Sequence, residues 1–153
     1  MRPLRYNSRA SWRFRRKAGS LPAGDELPAL ASHVVFSAEG LRATAQCEDL
    51  AEGLRCVARR SSAFLAVTDG ANDMLWLEGE SLRRMPAFAV EAVDTLGAGD
   101  VFHGAFALAL AEGCGAAEAM RFAAATAAIK CMRFGGGSGA PNRADVERLL
   151  ARG

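Results

Sequence analysis

Residues Asp94-Thr95-Leu96-Gly97-Ala98-Gly99-Asp100-Val101-Phe102-His103-Gly104-Ala105-Phe106 form a glycine-rich turn that runs straight into an apolar stretch. The first amides of a helix lack intrahelical acceptors and stand as free donors. Small residues at Gly97, Ala98 and Gly99 would let a bulky anion reach those donors, and the helix dipole adds partial positive charge. A phosphate suits such a turn. Asp100 repels the same anion, so its presence there makes sense if it has a second task. That task would be to take a proton from a hydroxyl that attacks a phosphoryl group. The plainer alternative is a glycine cap on a buried helix, with Asp100 only complementing the dipole. As a whole the run points to phosphoryl transfer.

The elements that must hold this turn alternate as in a parallel α/β sheet. His33 to Phe36 reads as a short buried strand, and Glu48 to Arg60 as a helix with Leu50, Leu54 and Val57 on one stripe. Phe64 to Val67 reads as the next strand, ending at Thr68-Asp69-Gly70. Met74 to Glu78 and Leu82 to Met85, on either side of Gly79, suggest a hairpin, and Phe88 to Val90 a last short strand. Gly99 to Ala111 is apolar nearly all round and is expected between layers. Ala116 to Met132 is an alanine-rich helix, residues 134–141 a glycine-rich loop, and Arg143 to Ala151 a final amphipathic helix. The expected class is therefore α/β, a mostly parallel sheet flanked by helices with one β-hairpin. In such sheets ligands gather beyond the carboxyl ends of the strands.

The run from Asp94 to Phe106 resembles the second signature of the PfkB, or ribokinase-like, carbohydrate and nucleoside kinases, D-T-x-G-A-G-D-x-F-x-G-A-F, with every fixed position filled. The wider resemblance spans residues 31–153 and matches only the C-terminal, nucleotide-side half of that fold. It implies an ATP-dependent sugar kinase, with Gly97, Ala98 and Gly99 as the anion hole and Asp100 as the catalytic base. It further implies that Thr68 and Gly70 contact nucleotide, as in the family's T-x-G-x-x-G turn, although Asp73 replaces the second glycine. Glu39 is the nearest carboxylate to the family's N-x-x-E motif and so the candidate for organising Mg2+, although no asparagine precedes it. Arg133 to Pro141 resembles the late loop that borders the adenine, with Gly136 and Gly137 at the nucleotide. In many members that loop also holds a monovalent cation, here K+ beside Asp94. Each of these sites also has a plain reading: a strand-ending turn at Thr68 and Gly70, an ordinary helix N-terminal acid at Glu39, and a flexible connector at Arg133 to Pro141. The strings at Phe102-His103-Gly104-Ala105-Phe106 and Arg133-Phe134-Gly135-Gly136 lean towards the sulfofructose kinase-like branch. His103 is expected to pack rather than react, and His33 carries no assigned chemistry.

The chain has 153 residues, enough for one domain with a sizeable core, and no segment resembles the family's sugar-binding half. A truncated kinase is one reading; a non-catalytic nucleotide-binding remnant, or a half-kinase that needs a partner chain, is the other. Met1 to Lys17 holds seven basic residues and no acidic one, whereas the remainder holds 12 basic against 17 acidic. That break sets residues 1–20 apart as an arm, read as a solvated or out-of-frame segment, a nucleic-acid arm, or a transit segment. The partners implied are a small sugar and ATP, with a homodimer or a missing N-terminal half as protein partners. Nucleic acid is not expected beyond that one reading of the arm. Cys47, Cys56, Cys114 and Cys131 lack metal-ligand spacing and are read as reduced, which fits a cytoplasmic compartment. No P-loop, protein-kinase loop, secretory signal or membrane span is present in the sequence.

Overall fold

The computed structural model describes residues 31–152, so the basic arm over residues 1–20 lies outside the described residues. Strand β1 (His33–Ser37) pairs in parallel with β2 (Phe64–Thr68), in register from His33 opposite Phe64 to Ser37 opposite Thr68. Two helices make the crossover, α1 (Ala38–Ala45) and α2 (Leu50–Ala58). Each starts at a side-chain cap. Ser37 Oγ accepts from the Gly40 amide at 3.1 Å, and Asp49 Oδ1 from the Glu52 amide at 2.9 Å. Helix α1 entered the sequence reading only as the plain alternative for Glu39, a helix N-terminal acid, because its eight residues bury only Ala38 and Leu41 and so show little periodicity.

From β2 the chain turns back on itself. Strand β3 (Met74–Glu78) is antiparallel to β2, and β4 (Ser81–Met85) is antiparallel to β3 across a two-residue turn in which Gly79 takes φ 61°. The sheet order is β1-β2-β3-β4, so the sheet is mixed and only one pair is parallel, not the mostly parallel arrangement expected. The cause is connection length: residues 69–73 are too few to cross over a sheet, whereas they suffice to reverse direction. The expected strand at Phe88 to Val90 does not form either. After Pro86 the segment has no ladder partner among the described residues.

Helices cover both faces of the sheet. Alternation along β2 sends Leu65 and Val67 towards Leu41, Leu54 and Val57 of α1 and α2, and Ala66 to the other face. There Ala66, Met74 and Trp76 meet Phe102, Phe106 and Ala109 of α3 (Ala98–Ala111), together with Met120 and Ala123 of α4 (Ala116–Cys131). Phe106 stacks on Phe64 and Phe102 at ring-centroid distances of 6.1 and 6.3 Å. Helix α5 (Arg143–Leu150), capped by Asn142, closes over α4 through Val146, Ala125 and Ile129. Helix α3 buries one stripe only. Asp100, His103 and Leu108 lie on its exposed side, so the expectation of a helix enclosed between layers does not hold among the described residues.

Candidate active site

The signature turn sits at the start of α3, where Gly97 is the N-cap with φ 76° and ψ 6°. A β-carbon built at Gly97 would lie 3.5 Å from the Gly136 Cα, so the turn rests directly on the glycine-rich loop. The Ala98 amide donates to the Thr95 carbonyl at 3.1 Å and closes the turn. The amides of Gly97, Gly99 and Asp100 have no partner among the described residues. Of the three donors expected at an anion hole, two are thus free, Ala98 is engaged within the turn, and the Asp100 amide adds a donor that sequence reasoning had not included. The Asp100 side chain stands exposed in the first helical turn. In front of Gly99 there is open space, since a β-carbon there would meet nothing within 4 Å.

A cleft of about 580 Å³ adjoins this turn. Thr68 and Gly70 from the end of β2, Ala98 and Gly99 from the signature, Phe88 from the unpaired segment and Ala128 from α4 all face it. Four of the residues singled out from sequence therefore share one cavity. Thr68 Oγ1 donates to the Phe36 carbonyl at 3.4 Å, which joins the carboxyl ends of β1 and β2. Asp73, which replaces a family glycine, lies 3.5 Å from Arg84 Nη1 and so faces the hairpin. Gly136 and Gly137 do not line the cleft; they back the turn at Gly97. The part of the cleft missed by sequence reasoning is residues 87–92, whose apolar run reads the same whether it pairs in a sheet or walls a cavity.

Glu39 is exposed in the first turn of α1, just past Ser37, which pairs with Thr68. It lies at the same end of the sheet as the cleft, yet no group of three or more metal-ligating side chains occurs among the described residues. A lone carboxylate suits magnesium only where waters and nucleotide phosphates supply the other oxygens.

Asp94 is the most heavily bonded residue of the site. Its Oδ1 accepts from the Leu96 amide and its Oδ2 from the Gly135 amide, both at 2.9 Å. Lys130 Nζ lies 3.3 Å from Oδ2 and donates to the Asp94 carbonyl at 2.7 Å. The Leu96 amide foremost, and then Gly135 and Lys130, hold the Asp94 carboxyl below the usual carboxylate value against an opposing effect of burial. The amides of Val93 and Asp94 both donate to the Cys131 carbonyl, which fixes the turn to the end of α4. Lys130 is completely buried, and sequence reasoning gave it no role. It contacts Asp94, the residue to which the resemblance assigned a monovalent cation.

His103 acts as a strut. Its Nδ1 lies 2.7 Å from the Gly99 carbonyl and its Nε2 3.0 Å from the Val35 carbonyl, linking α3 to β1. Burial lowers the pKa of His33, whose ring packs against Phe64 and Phe106. All four cysteines are free thiols, and burial pushes Cys114 up, away from nucleophilic thiolate chemistry. No helix among the described residues is long and apolar enough to cross a membrane.

Similar sequences and folds occur among sugar kinases. The chain is 44% identical over 89 residues to a ribokinase of Bacillus subtilis, an alignment covering 58% of this chain and 30% of that enzyme. The structure of an Arabidopsis thaliana ribokinase complexed with ribose and ATP superposes with a TM-score of 0.74 at 27% identity, covering 82% of this chain and 43% of that one. A fructokinase double mutant from Vibrio cholerae, in a form bound to fructose, ADP and potassium, gives a TM-score of 0.72 at 27% identity, covering 78% and 41%. The chain thus spans well under half the length of the relatives it matches. The family model for pfkB family carbohydrate kinases matches residues 10–143. On the strength of that match, which contains the whole signature turn and its cleft, the chain belongs to the pfkB family of carbohydrate kinases.

Proposed function

We propose that this chain is the nucleotide-side half of an ATP-dependent sugar kinase. The observation that carries the reading is the pairing of unpartnered amides at Gly97, Gly99 and Asp100 with an exposed Asp100 carboxylate, beside a cleft that also meets Thr68 and Gly70. Asp100 removes the proton from a primary sugar hydroxyl, and the resulting oxygen attacks the γ-phosphorus in line, breaking its bond to the β,γ-bridging oxygen and releasing ADP. The free amides, aided by the dipole of α3, stabilise the charge that develops on the equatorial oxygens. The cleft takes the nucleoside, with Thr68 and Gly70 towards the phosphates, and Gly136 and Gly137 support the turn from behind. Magnesium, when bound with the nucleotide, neutralises phosphate charge, and Glu39 is the carboxylate placed to orient its waters.

Ribose is the first acceptor to test, because the B. subtilis and A. thaliana relatives are ribokinases. Fructose-type sugars and sulfofructose come next, following the fructokinase relative and the strings around His103 and Phe134. Leu96 and Phe134, 72% and 81% exposed beside the turn, are apolar surfaces suited to cover by a sugar-binding half or a second copy of the chain. A coupled ADP-release assay with ribose, fructose and sulfofructose tests the proposal. Asp100→Asn should lower turnover by about 10²–10⁴-fold while nucleotide affinity stays near wild type. Unchanged turnover would remove Asp100 from its role. Nucleotide binding by the wild type with no turnover on any of the sugars would favour a non-catalytic remnant or a half that works only with a partner.

A further inference from the structure

We infer that the Lys130 ammonium is a built-in replacement for the monovalent cation at the signature turn, so that the turn of this chain holds its shape without potassium. The inference takes its functional meaning from the kinase reading, but the cation site itself can be tested without it.

Lys130 lies on α4 and is completely buried, on a helix that also buries Ala125, Thr126 and Ile129. An apolar residue is the ordinary occupant of such a place, because a buried ammonium is costly unless its charge and its donors are met. Here Asp94 meets the charge, its carbonyl accepting from the ammonium at 2.7 Å and its carboxylate lying 3.3 Å away. The same carboxylate collects the Leu96 amide of the signature turn and the Gly135 amide of the glycine-rich loop. One carboxylate, countered by one buried ammonium, therefore joins the two loops that frame the proposed anion hole. A potassium ion bracing this turn would draw on the same carboxylate and carbonyl oxygens, and it would lie against a fixed like charge. The V. cholerae fructokinase relative is described in a potassium-bound form. In this chain the donor set around Asp94 does not fit that ion, because an ammonium already holds it.

The test is thermal unfolding and ATP affinity of the full chain at constant ionic strength, with tetramethylammonium exchanged stepwise for potassium. The wild type should melt at one temperature and bind ATP with one affinity across the whole exchange. Lys130→Met fills the space but removes the charge, and in tetramethylammonium it should melt roughly 10 °C lower. Potassium, and not lithium, should then restore part of that loss. A saturable rise in melting temperature or ATP affinity of the wild type with potassium would overturn the inference. So would a folded Lys130→Met protein indifferent to potassium, since ion and ammonium would then not share one place. If Lys130→Met does not fold, the wild-type exchange decides the matter alone. Absence of kinase activity or of ATP binding would count against the proposed function and leave the melting result standing.

Discussion

Replacing Gly99 by alanine separates what the signature turn does for folding from what it does for a ligand. Gly99 is the second residue of α3, its backbone is helical, and a β-carbon there would meet nothing within 4 Å. Alanine therefore fits without strain, and removing the excess freedom of glycine should stabilise the fold by about 0.5–1 kcal/mol. That corresponds to a rise in melting temperature of about 2–5 °C for a chain of this size. A phosphate gripped by the Gly99 amide, however, must cover the space the new methyl takes. Losing one hydrogen bond to a charged group costs about 1.5–3 kcal/mol, or roughly 10–100-fold in affinity. Gly104→Ala is the matched control. It lies on the same helix, also faces open space, and does not line the cleft. It should stabilise by a similar amount and leave nucleotide binding unchanged. The assays are thermal unfolding by circular dichroism and titration with Mg-ATP. A Gly99→Ala protein that is more stable and binds ATP as tightly as the wild type would refute the argument that these amides hold a phosphate.

Two further substitutions probe the surrounding scaffold. Gly97→Ala has room, since its β-carbon would meet the Gly136 Cα at 3.5 Å, but its φ of 76° is unfavourable for alanine. It should destabilise by about 1–2 kcal/mol in urea unfolding, and no loss would show that the turn can relax. Asp145 is held below the usual carboxylate value first by its hydrogen bond to Arg133, at 2.8 Å, and further by Arg148, against an opposing effect of burial. Its contribution to stability is therefore full above the unfolded carboxylate value near pH ~4 and fades as the pH falls through the lower native value. Melting temperatures of wild type and Asp145→Asn should differ at neutral pH and converge in acid; a constant gap would exclude the ionised carboxylate as the cause.

What could be read from the chain in advance was local. The signature turn and α3 lie within one residue of the expected position because a glycine cap followed by an apolar run is encoded by neighbours in sequence. The hairpin was legible for the same reason, through Gly79. Sheet direction was misjudged although its signal was present: the short link between β2 and β3 permits only reversal. The segment at Phe88 could not be resolved, because whether an apolar triplet pairs or walls a cleft depends on partners far away in sequence. Helix α1 had a signal in Ser37 and Glu39, a cap and a first-turn acid, but too few buried residues to display a stripe. Lys130 and Asp94 meet across 36 positions of sequence, and no local pattern announces a charge pair of that kind.

That meeting also has a hereditary side. With the ammonium sealed from water, loss of Asp94 would leave a stranded cation, and loss of Lys130 would leave the carboxylate and carbonyl short of their counter-charge. Single replacements at either position should thus be felt first as lost stability, before any effect on chemistry. The two codons constrain each other, and a lineage that keeps Asp94 but gives up the lysine is expected to need a bound cation in its place.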